Sequence, residues 1–561
     1  MNDQSKIETP ISTNVLVVGA GPEACAAAQE LSRMGHGVLL LGPESEIAGH
    51  PAPLGGREHD PCDLESIIKA IKDDPRIEIM APGEIIEFEG FPGEFRVRLK
   101  GAETPGLLKE VGAVILANET VLWADFEAWG VKESERIRSL SWLESLPANS
   151  SHLPVPSAEE PLRAVFLCGF THHSNPITQK RAMGAAIRLA SKLENQVFFI
   201  TEHLKVAHAG MERLSREARE KGVLFTKLTT PRPRMEADAY PLDVSYYDEA
   251  LGEEVSLSPH LVILEETVRP SPDVASIAER LNIHLDENGF FQCENIYNLP
   301  IYTNRVGIWA VGPARGTVAL GEGIEEAKAA ALDVHRLLEQ GRECVAEKQI
   351  LLDTKRCTIC LTCYRLCPHS AITYLNRRPV FSPLACKLCG ICAAECPMDA
   401  IQLHDWPDQR MEEQLMEMMK AEPVKGGEGV PVIFAFCCRN SALEAARLAH
   451  LRGLPLPGGL RLLEIPCAGR IDPDHLLKAF RVGADGVMVL GCHRDSCKSF
   501  NGNELAESRV ESMKAYLSDA GLEEERLYFG NLAPGMSMEF VKMAGEMEEI
   551  LMNLGRSPLS K

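Results

Sequence analysis

A cysteine motif occurs twice between residues 357 and 397, and it limits the fold of that segment more than any other feature of the sequence. The first copy reads C-T-I-C-L-T-C-Y-R-L-C-P from Cys357, and the second reads C-K-L-C-G-I-C-A-A-E-C-P from Cys386. Each copy puts three thiols into one tight loop, followed by a fourth thiol beside a proline that ends regular structure. Three thiolates from one loop can hold three irons of a [4Fe-4S] cluster, and the fourth cysteine then reaches the cluster of the other copy.

The repeat therefore predicts two [4Fe-4S] clusters with crossed ligation, as in bacterial two-cluster ferredoxins. The predicted ligands are Cys357, Cys360, Cys363 and Cys396 for the first cluster, and Cys386, Cys389, Cys392 and Cys367 for the second. The alternatives are a zinc site or disulfides. Zinc usually takes four ligands in two pairs, so two triplets that are each followed by Cys-Pro favour iron-sulfur clusters.

Length and charge set outer limits on the protein. A chain of 561 residues predicts three to four domains, and a net charge of -22 disfavours nucleic acid or an anionic membrane surface as a partner. The first ten residues lack the basic and apolar regions of a signal peptide, and no run approaches roughly 18 apolar residues. We therefore expect a cytoplasmic protein, which a partner protein could still hold at a membrane. Clustered cysteines are typical of metal ligands in a reducing compartment.

A glycine-rich turn near the amino terminus predicts a dinucleotide site. The apolar run at residues 15–18 is followed by Gly19-Ala-Gly21-Pro-Glu-Ala24, then by a helical pattern and a second apolar run at residues 38–41. In such a βαβ unit the glycines let the backbone approach a pyrophosphate at the start of the helix. A carboxylate for the adenosine ribose is expected directly after the second strand, but Gly42 stands there. We predict that Glu44 takes this role.

Two later segments favour FAD over a nicotinamide nucleotide. The runs G-A-V-I-L-A from Gly112 and G-I-W-A-V-G-P-A-R-G from Gly307 resemble strands that return to the first domain in flavoproteins with two dinucleotide folds. We predict that Gly312 and Gly316 contact FAD, although the usual Gly-Asp ending is absent; plain core strands are the alternative. A second α/β unit, at about 160–240, has a first strand ending Leu167-Cys168-Gly169-Phe170, so no second GxGxxG motif is present.

The last quarter of the chain alternates strand and helix patterns, and three of its strands end in cysteine. Cys437 and Cys438 follow the first strand, Cys467 the second, and Cys492 and Cys497 the third. Parallel sheets place their sites at the carboxyl ends of strands. We predict a [2Fe-2S] or zinc site formed by Cys438, Cys467, Cys492 and Cys497. Buried free thiols are the alternative, and the sequence does not decide between Cys437 and Cys438.

The order of these parts resembles the heterodisulfide reductase A (HdrA) family, and the tail resembles the delta subunit of methyl-viologen-reducing hydrogenase. The tail motifs are F-C-C-R-N-S from Phe436, P-C-A-G-R-I-D-P from Pro466 and G-C-H-R-D-S-C from Gly491. The fused layout is most similar to the B component of quinone-modifying oxidoreductase (Qmo) complexes. Two departures matter. The delta-subunit pattern has a cysteine where this chain has Ser441, and the further cluster cysteines common in the flavin region of HdrA proteins are absent.

The resemblance implies an α/β fold class with four parts. These are a Rossmann-type FAD region with the second α/β unit over residues 1–345, a two-[4Fe-4S] ferredoxin domain over 346–405, a linker over 406–429 and a C-terminal α/β domain over 430–561. It also implies an electron-transfer subunit of a larger oxidoreductase. Its partners would be a second HdrA-like flavoprotein, a heterodisulfide reductase B/C-like or membrane quinone-reacting subunit, or a hydrogenase or dehydrogenase. The competing hypotheses are a self-contained NAD(P)H:acceptor flavoprotein and a non-catalytic redox-sensing module.

Overall fold

The structure of the chain is a computed structural model. It describes residues 6–559 with the exception of 43–63, 102–104, 147–152, 154–160, 173–174, 192–194, 206–208, 230–231, 237–241, 295–297, 340–341, 347–348 and 421–428. Glu44, the predicted ribose ligand, lies outside the described residues. The described residues form four parts, and the second part is inserted within the first.

The first part is built on a five-stranded parallel sheet. Its elements are β1 (Lys6–Pro10), β2 (Val15–Val18), α1 (Pro22–Arg33), β3 (Val38–Leu41), α2 (Leu64–Asp73), β4 (Ile77–Met80), β5 (Gly83–Glu89), β6 (Phe95–Gly101), β7 (Pro105–Val111), β8 (Ala113–Leu116), β9 (Thr120–Trp123), β18 (Thr267–Pro270), α6 (Val274–Leu281), β19 (Ile308–Ala310), α7 (Leu320–Leu338) and β20 (Arg342–Ala346). The strand order is β19-β8-β2-β3-β4, so the two segments that were predicted to return to this sheet do so. Helices α1 and α7 pack on one face, and a three-stranded antiparallel sheet (β5 to β7) with helix α6 packs on the other.

The second part is inserted between β9 and β18. Its elements are β10 (Ile137–Ser139), α3 (Leu140–Ser145), β11 (Arg163–Cys168), α4 (Pro176–Ala190), β12 (Gln196–Thr201), α5 (Met211–Glu220), β13 (Val223–Lys227), β14 (Arg234–Glu236), β15 (Asp243–Asp248), β16 (Glu253–Leu257) and β17 (Leu261–Leu264). They form a five-stranded parallel sheet in the order β10-β17-β11-β12-β13 and a small antiparallel sheet of β14 to β16. The strand and helix alternation predicted from the sequence is present.

The third part contains the cysteine repeat and has little regular structure. Its elements are β21 (Ile350–Leu352), α8 (Thr362–Leu366), β22 (Ile372–Leu375), β23 (Arg378–Phe381), α9 (Ile391–Ala394) and β24 (Ile401–Leu403). Two short antiparallel pairs, β21 with β24 and β22 with β23, accompany the two single-turn helices. Each helix begins within one copy of the motif, which places the fourth cysteine of that copy just beyond its end.

The fourth part is a four-stranded parallel sheet with helices on both faces. Its elements are α10 (Asp408–Lys420), β25 (Ile433–Cys438), α11 (Ala442–Leu451), β26 (Leu460–Ile465), α12 (Pro473–Arg481), β27 (Gly486–Cys492), α13 (Gly502–Asp519), β28 (Leu527–Leu532) and α14 (Ser537–Leu554). The strand order is β26-β25-β27-β28, and a separate apolar core fills each side of the sheet. The α/β fold class predicted from the sequence is confirmed.

The segment predicted as a linker contains a helix that packs on the last domain. Most of it forms helix α10, and Met411 and Leu415 of this helix are fully buried in the core of the fourth part. The two side chains are four residues apart, so they lie on one face of the helix. Burial of this apolar face makes α10 part of the last domain.

The longest helices in the described ranges are α7, α13 and α14, with 19, 18 and 18 residues. Each carries charged residues along its exposed side. None of the described helices combines the length and the apolar character that crossing a membrane requires.

Candidate iron-sulfur centres and nucleotide turn

The cysteine repeat forms two separate cavities, and each cavity is lined by cysteines of both copies. The two cavities are similar in size, as expected of two sites built from one repeat. The first is lined by Cys357, Cys360, Cys363 and Cys396, and the second by Cys367, Cys386, Cys389 and Cys392. These are the crossed sets that the sequence predicts, and ligation itself stays a prediction.

The backbone repeats the same conformation in both copies. The residue before the second cysteine and the residue after it have positive φ in each loop: Ile359 (59°) and Leu361 (61°) in the first, Leu388 (54°) and Gly390 (81°) in the second. Residues with side chains are disfavoured at positive φ, so the surrounding structure has to stabilise these loops. Such strained positions cluster at functional sites. Left-handed residues on either side of a cysteine can turn backbone amides inward, and such turns bind anionic groups.

Backbone amides also donate to the sulfur of the fourth cysteine in each copy. The Ala371 amide lies 3.4 Å from the Cys367 Sγ, and the Ala400 amide lies 3.3 Å from the Cys396 Sγ. Hydrogen bonds to cluster sulfurs favour the more negative, reduced state of a cluster. The two halves therefore carry equivalent groups for tuning a reduction potential.

Burial differs among the thiols that line the two cavities. Burial raises the pKa of Cys363 to about 11 and raises the pKa of Cys389 and Cys392. In the first cavity Cys360 is exposed, and a hydrogen bond with Thr362 lowers its pKa. Thiolates in the buried positions need the positive charge of bound metal to be stable.

Four cysteines meet at the carboxyl edge of the last sheet. Cys438, Cys467, Cys492 and Cys497 pack against one another as one buried group, and 3.7 Å separates the Sγ atoms of Cys438 and Cys492. Hydrogen bonds from the thiols of Cys438 and Cys497 lower the pKa of Cys492 to about 3, and Cys497 lowers the pKa of Cys467 in the same way. Four sulfurs from three loops at this spacing suit a [2Fe-2S] cluster or zinc.

The strand geometry distinguishes the two adjacent cysteines at the end of β25. Successive side chains of a strand point to opposite faces. Cys438 lies in the four-cysteine group, whereas Cys437 packs with Ala435 and Ala442 in the apolar core under α11. Both side chains are fully buried. Only Cys438 is therefore positioned as a metal ligand.

The second cavity of the repeat and the four-cysteine group are direct neighbours. Cys389 packs against the four-cysteine group. Next to it, the Ile391 side chain contacts Gly469 and Gly502, and Gly502 in turn lies against the Cys467 sulfur. At Gly390 any side chain would collide with Arg470. The third and fourth parts of the chain thus share a tight boundary at these two sites.

Aromatic and histidine side chains from three parts of the chain lie at or beside the second cavity. Phe91 from the first part packs against Cys367 and Cys386. His369 lines the cavity and is almost fully buried, and neither of its ring nitrogens has a hydrogen-bond partner among the described residues. Its ring lies 6.0 Å from that of Phe500 in the fourth part. The second cavity therefore lies at the junction of three parts of the chain.

A buried charged network that the sequence analysis did not identify holds this junction. Arg470 pairs with Asp408 of α10 and lies 3.7 Å from Asp472, and His475 lies 2.8 Å from Asp408. Burial by itself would raise the pKa of Asp408, but the His475 hydrogen bond and the Arg470 charge hold that pKa well below its usual range. Asp408, Asp472 and His475 have the ligand types of a metal site. Arg470 already supplies the positive charge, so we read the group as a salt-bridge network.

The turn after β2 has the backbone of a dinucleotide site. Gly19 has φ of 136°, and any side chain there would collide with the carbonyl of Ala117. Ala24 is fully buried under the turn, and α1 begins at Pro22 without a side-chain cap, so its first amides face outward. Gly312 also has positive φ (56°), at the end of β19, and Gly316 has open space around it. The backbone thus fits a pyrophosphate at the start of α1.

A carboxylate of the chain occupies the anion position at this turn. The amide of Ala20 donates to Glu119 Oε1 at 2.7 Å, and the same oxygen lies 3.3 Å from where a side chain on Gly21 would begin. Burial raises the pKa of Glu119, and hydrogen bonds from backbone amides partly oppose this. Glu119 follows β8, and sequence reasoning missed it because it lies far from the turn in the chain. The amides are aimed at an anion, as FAD requires, but the chain supplies that anion itself.

Comparison with known proteins gives the last domain a family. Residues 433–555 match the family model described as the methyl-viologen-reducing hydrogenase delta subunit. Iron-sulfur protein D of the F420-non-reducing hydrogenase vhu of Methanocaldococcus jannaschii is 36% identical over 129 residues, which are 23% of this chain and 96% of that protein. Through this domain the chain belongs to the delta-subunit family. The domain, called the delta domain below, includes all four cysteines that the structure brings together.

The chain also has relatives of a second kind. The HdrA component of the ferredoxin:CoB-CoM heterodisulfide reductase of Methanosarcina mazei is 28% identical over 312 residues, covering 54% of this chain and 38% of that component. This chain therefore spans well under half of that relative. Residues 379–402 match a 4Fe-4S binding domain, ahead of the delta domain. The structure of T. acidophilum thioredoxin reductase covers 58% of this chain and 99% of its own length at 16% identity, with a TM-score of 0.41.

Proposed function

We propose that the chain is an electron-transfer subunit of a multi-subunit oxidoreductase. In this function two [4Fe-4S] clusters in the repeat exchange single electrons with a cluster in the delta domain. The ligands are the two crossed cysteine sets and the quartet of Cys438, Cys467, Cys492 and Cys497. The names of the relatives, which are components of heterodisulfide reductases and hydrogenases, support this proposal.

The contact of Cys389 with the quartet is the observation that carries the proposal. A ligand of the second cluster would lie against the ligands of the tail cluster, with no intervening domain to cross. Gly390 permits this approach because its missing side chain leaves room for Arg470. The amide hydrogen bonds to Cys367 and Cys396 would set the potentials of the two cubanes.

FAD is proposed to bind at the turn of Gly19, Gly21 and Ala24, with Gly312 and Gly316 on the returning segment. FAD exchanges electrons in pairs whereas iron-sulfur clusters exchange them singly, so the combination would link the two kinds of carrier. The protein's part is to present the amides of the turn, to exclude water with the buried strands β2 and β8, and to hold the cofactor at the start of α1. Glu44 remains the proposed ribose contact.

Partners are proposed to dock at the first cavity of the repeat. Cys360 is exposed there, and Ile359 and Tyr364 beside it are 40% and 48% exposed. We expect the partner to be another redox protein: a flavoprotein, a quinone-reacting component, or a hydrogenase or dehydrogenase. The isolated chain should not turn over without it.

The two adjacent cysteines of β25 provide a matched test. Anaerobically purified wild-type chain should contain about ten irons, eight in the two cubanes and two in the tail. Cys438→Ser should retain about eight of these irons and lose the tail signal in EPR, whereas Cys437→Ser should retain all of them, since Cys437 lies in the core. Equal loss in both variants would show that the tail site depends on general packing. Zinc in the tail, or a single cubane, would contradict the proposed electron transfer between three clusters.

A further inference from the structure

The Glu119 carboxylate lies where the pyrophosphate of a dinucleotide would have to lie. Its Oε1 accepts the amide of Ala20 at 2.7 Å, and it packs over Gly21 with Oε1 and Cγ at 3.3 and 3.4 Å from the position of an added side chain. These are the amides that the glycine turn exposes for a phosphate. One set of donors cannot serve both anions at once.

Further carboxylates surround the same turn. Glu23, in the first turn of α1, is 3% exposed and reaches Gly323 at the start of α7. Asp273 acts on Glu119 through its charge and accepts a hydrogen bond from Asn118 at 3.0 Å. The starts of both α1 and α7 are therefore already faced by carboxylates of the chain. A diphosphate that entered with Glu119 in place would meet like charge at short distance.

We infer that Glu119 is an internal competitor of the nucleotide, which binds only when the Glu119 side chain leaves the turn. This inference rests on the proposed FAD site and names the residue that sets its affinity. Glu119 lies in the short loop between β8 and β9, and β9 is an exposed edge with Val121 and Trp123 43% and 50% exposed. The side chain can turn toward solvent without disturbing the buried strand β8.

The inference predicts a gain of binding when the charge is removed. Glu119→Gln keeps an oxygen that can accept the Ala20 amide, and Glu119→Gly removes the competitor. Both should bind ADP and FAD about tenfold or more tightly than wild type. The repulsion energy of two charges a few ångströms apart near a protein surface corresponds to more than a tenfold change in the binding constant. Glu322→Gln is the matched control. It removes one charge from the exposed first turn of α7, outside the Glu119 contact, and should bind as wild type does.

The measurement is a fluorescence and calorimetric titration of full-length, flavin-stripped protein with ADP, FAD and riboflavin, with circular dichroism to verify folding. ADP isolates the pyrophosphate, and riboflavin, which lacks phosphate, should show no gain. Equal ADP affinity in wild type and Glu119→Gln, or an equal gain in Glu322→Gln, would overturn the inference. An ADP gain without FAD binding in any variant would support the role of Glu119 and refute the FAD part of the proposed function. Failure of every variant to bind either nucleotide would overturn both.

Discussion

Replacement of Arg470 by methionine tests how the delta domain is held against the cysteine repeat. The Arg470 side chain is 1% exposed, pairs with Asp408 and Asp472, and packs its methylene stem over Gly390. Methionine preserves most of the stem and removes the guanidinium. The change therefore isolates the effect of the charge.

The structure gives the expected size of the effect. Removing one partner of a buried ion pair costs about 3–5 kcal/mol, because the other charge stays buried without compensation. Asp408 is 23% exposed and keeps the His475 contact, so we expect the lower end, about 3 kcal/mol. Arg447→Met is the control. Arg447 is 58% exposed and pairs with Glu444 on the same domain, so its loss should cost about 0.5 kcal/mol or less.

Hydrogen exchange of α10 and α12 amides in the full-length protein measures this loss locally, which avoids assuming that the whole chain unfolds in one step. EPR of the reduced protein would report whether magnetic coupling between the second cubane and the tail cluster weakens at the same time. A further Asp408→Asn change should recover part of the loss. If Arg470→Met and Arg447→Met show equal protection, the network does not hold the domains together.

The same network predicts a dependence on pH. The pKa of Asp408 is lowered, so its stabilising contribution is present above its unfolded value near 4 and is lost as the pH falls toward its folded value. For His475, burial opposes but the hydrogen bonds to Asp408 and Asp472 raise the pKa. Its contribution is therefore complete below about 6.5 and is lost as the pH rises through the raised value. Protection of α10 should be greatest between about pH 4 and 6.5 and should decline above neutrality in wild type.

Three other experiments test the proposed electron-transfer function. Cys367→Ser should damage the second cubane and leave the EPR signal of the first intact; loss of only the first would refute crossed ligation. His369→Leu should lower the reduction potential of the second cubane, since an imidazole N–H facing the cavity can donate to a cluster sulfur; an unchanged potential in a redox titration would exclude this role. Mixing the chain with NADH in a stopped-flow instrument should give no rapid flavin bleaching, because Gly169 follows β11 without the glycine spacing of a nucleotide turn; fast bleaching would favour a self-contained enzyme.

Features set by local spacing were predictable from the sequence. The crossed cavities follow from the repeat, because ligand spacing and Cys-Pro junctions act within a few residues. The β25 cysteines show an intermediate case: the strand was expected, but choosing Cys438 over Cys437 required its register against neighbouring strands. The four-residue spacing of Met411 and Leu415 likewise indicates the helix inside the predicted linker.

Contacts between residues far apart in the sequence could not be predicted from it. Glu119 meets the glycine turn across 99 positions of sequence, and no local pattern distinguishes it from an ordinary loop glutamate. Arg470 belongs to a motif noted in the sequence, yet its role depends on a glycine in another domain. Both roles arise from where separate elements meet in the folded chain, and neither is encoded by the nearby residues.

The unequal exposure of the cysteines in the three proposed metal sites also predicts the order in which the clusters would be lost in air. Cys360 lies open to solvent, whereas the cysteines of the second cavity are half-buried and those of the quartet are buried. If the proposed clusters are bound, oxygen and peroxide should therefore reach the first cubane before the other two clusters. Decay should be stepwise, with an early species that has lost its outward-facing cluster while the inner pair survives. Preparations handled briefly in air would then retain the second cubane and the tail cluster but would no longer exchange electrons with a partner through the first cubane.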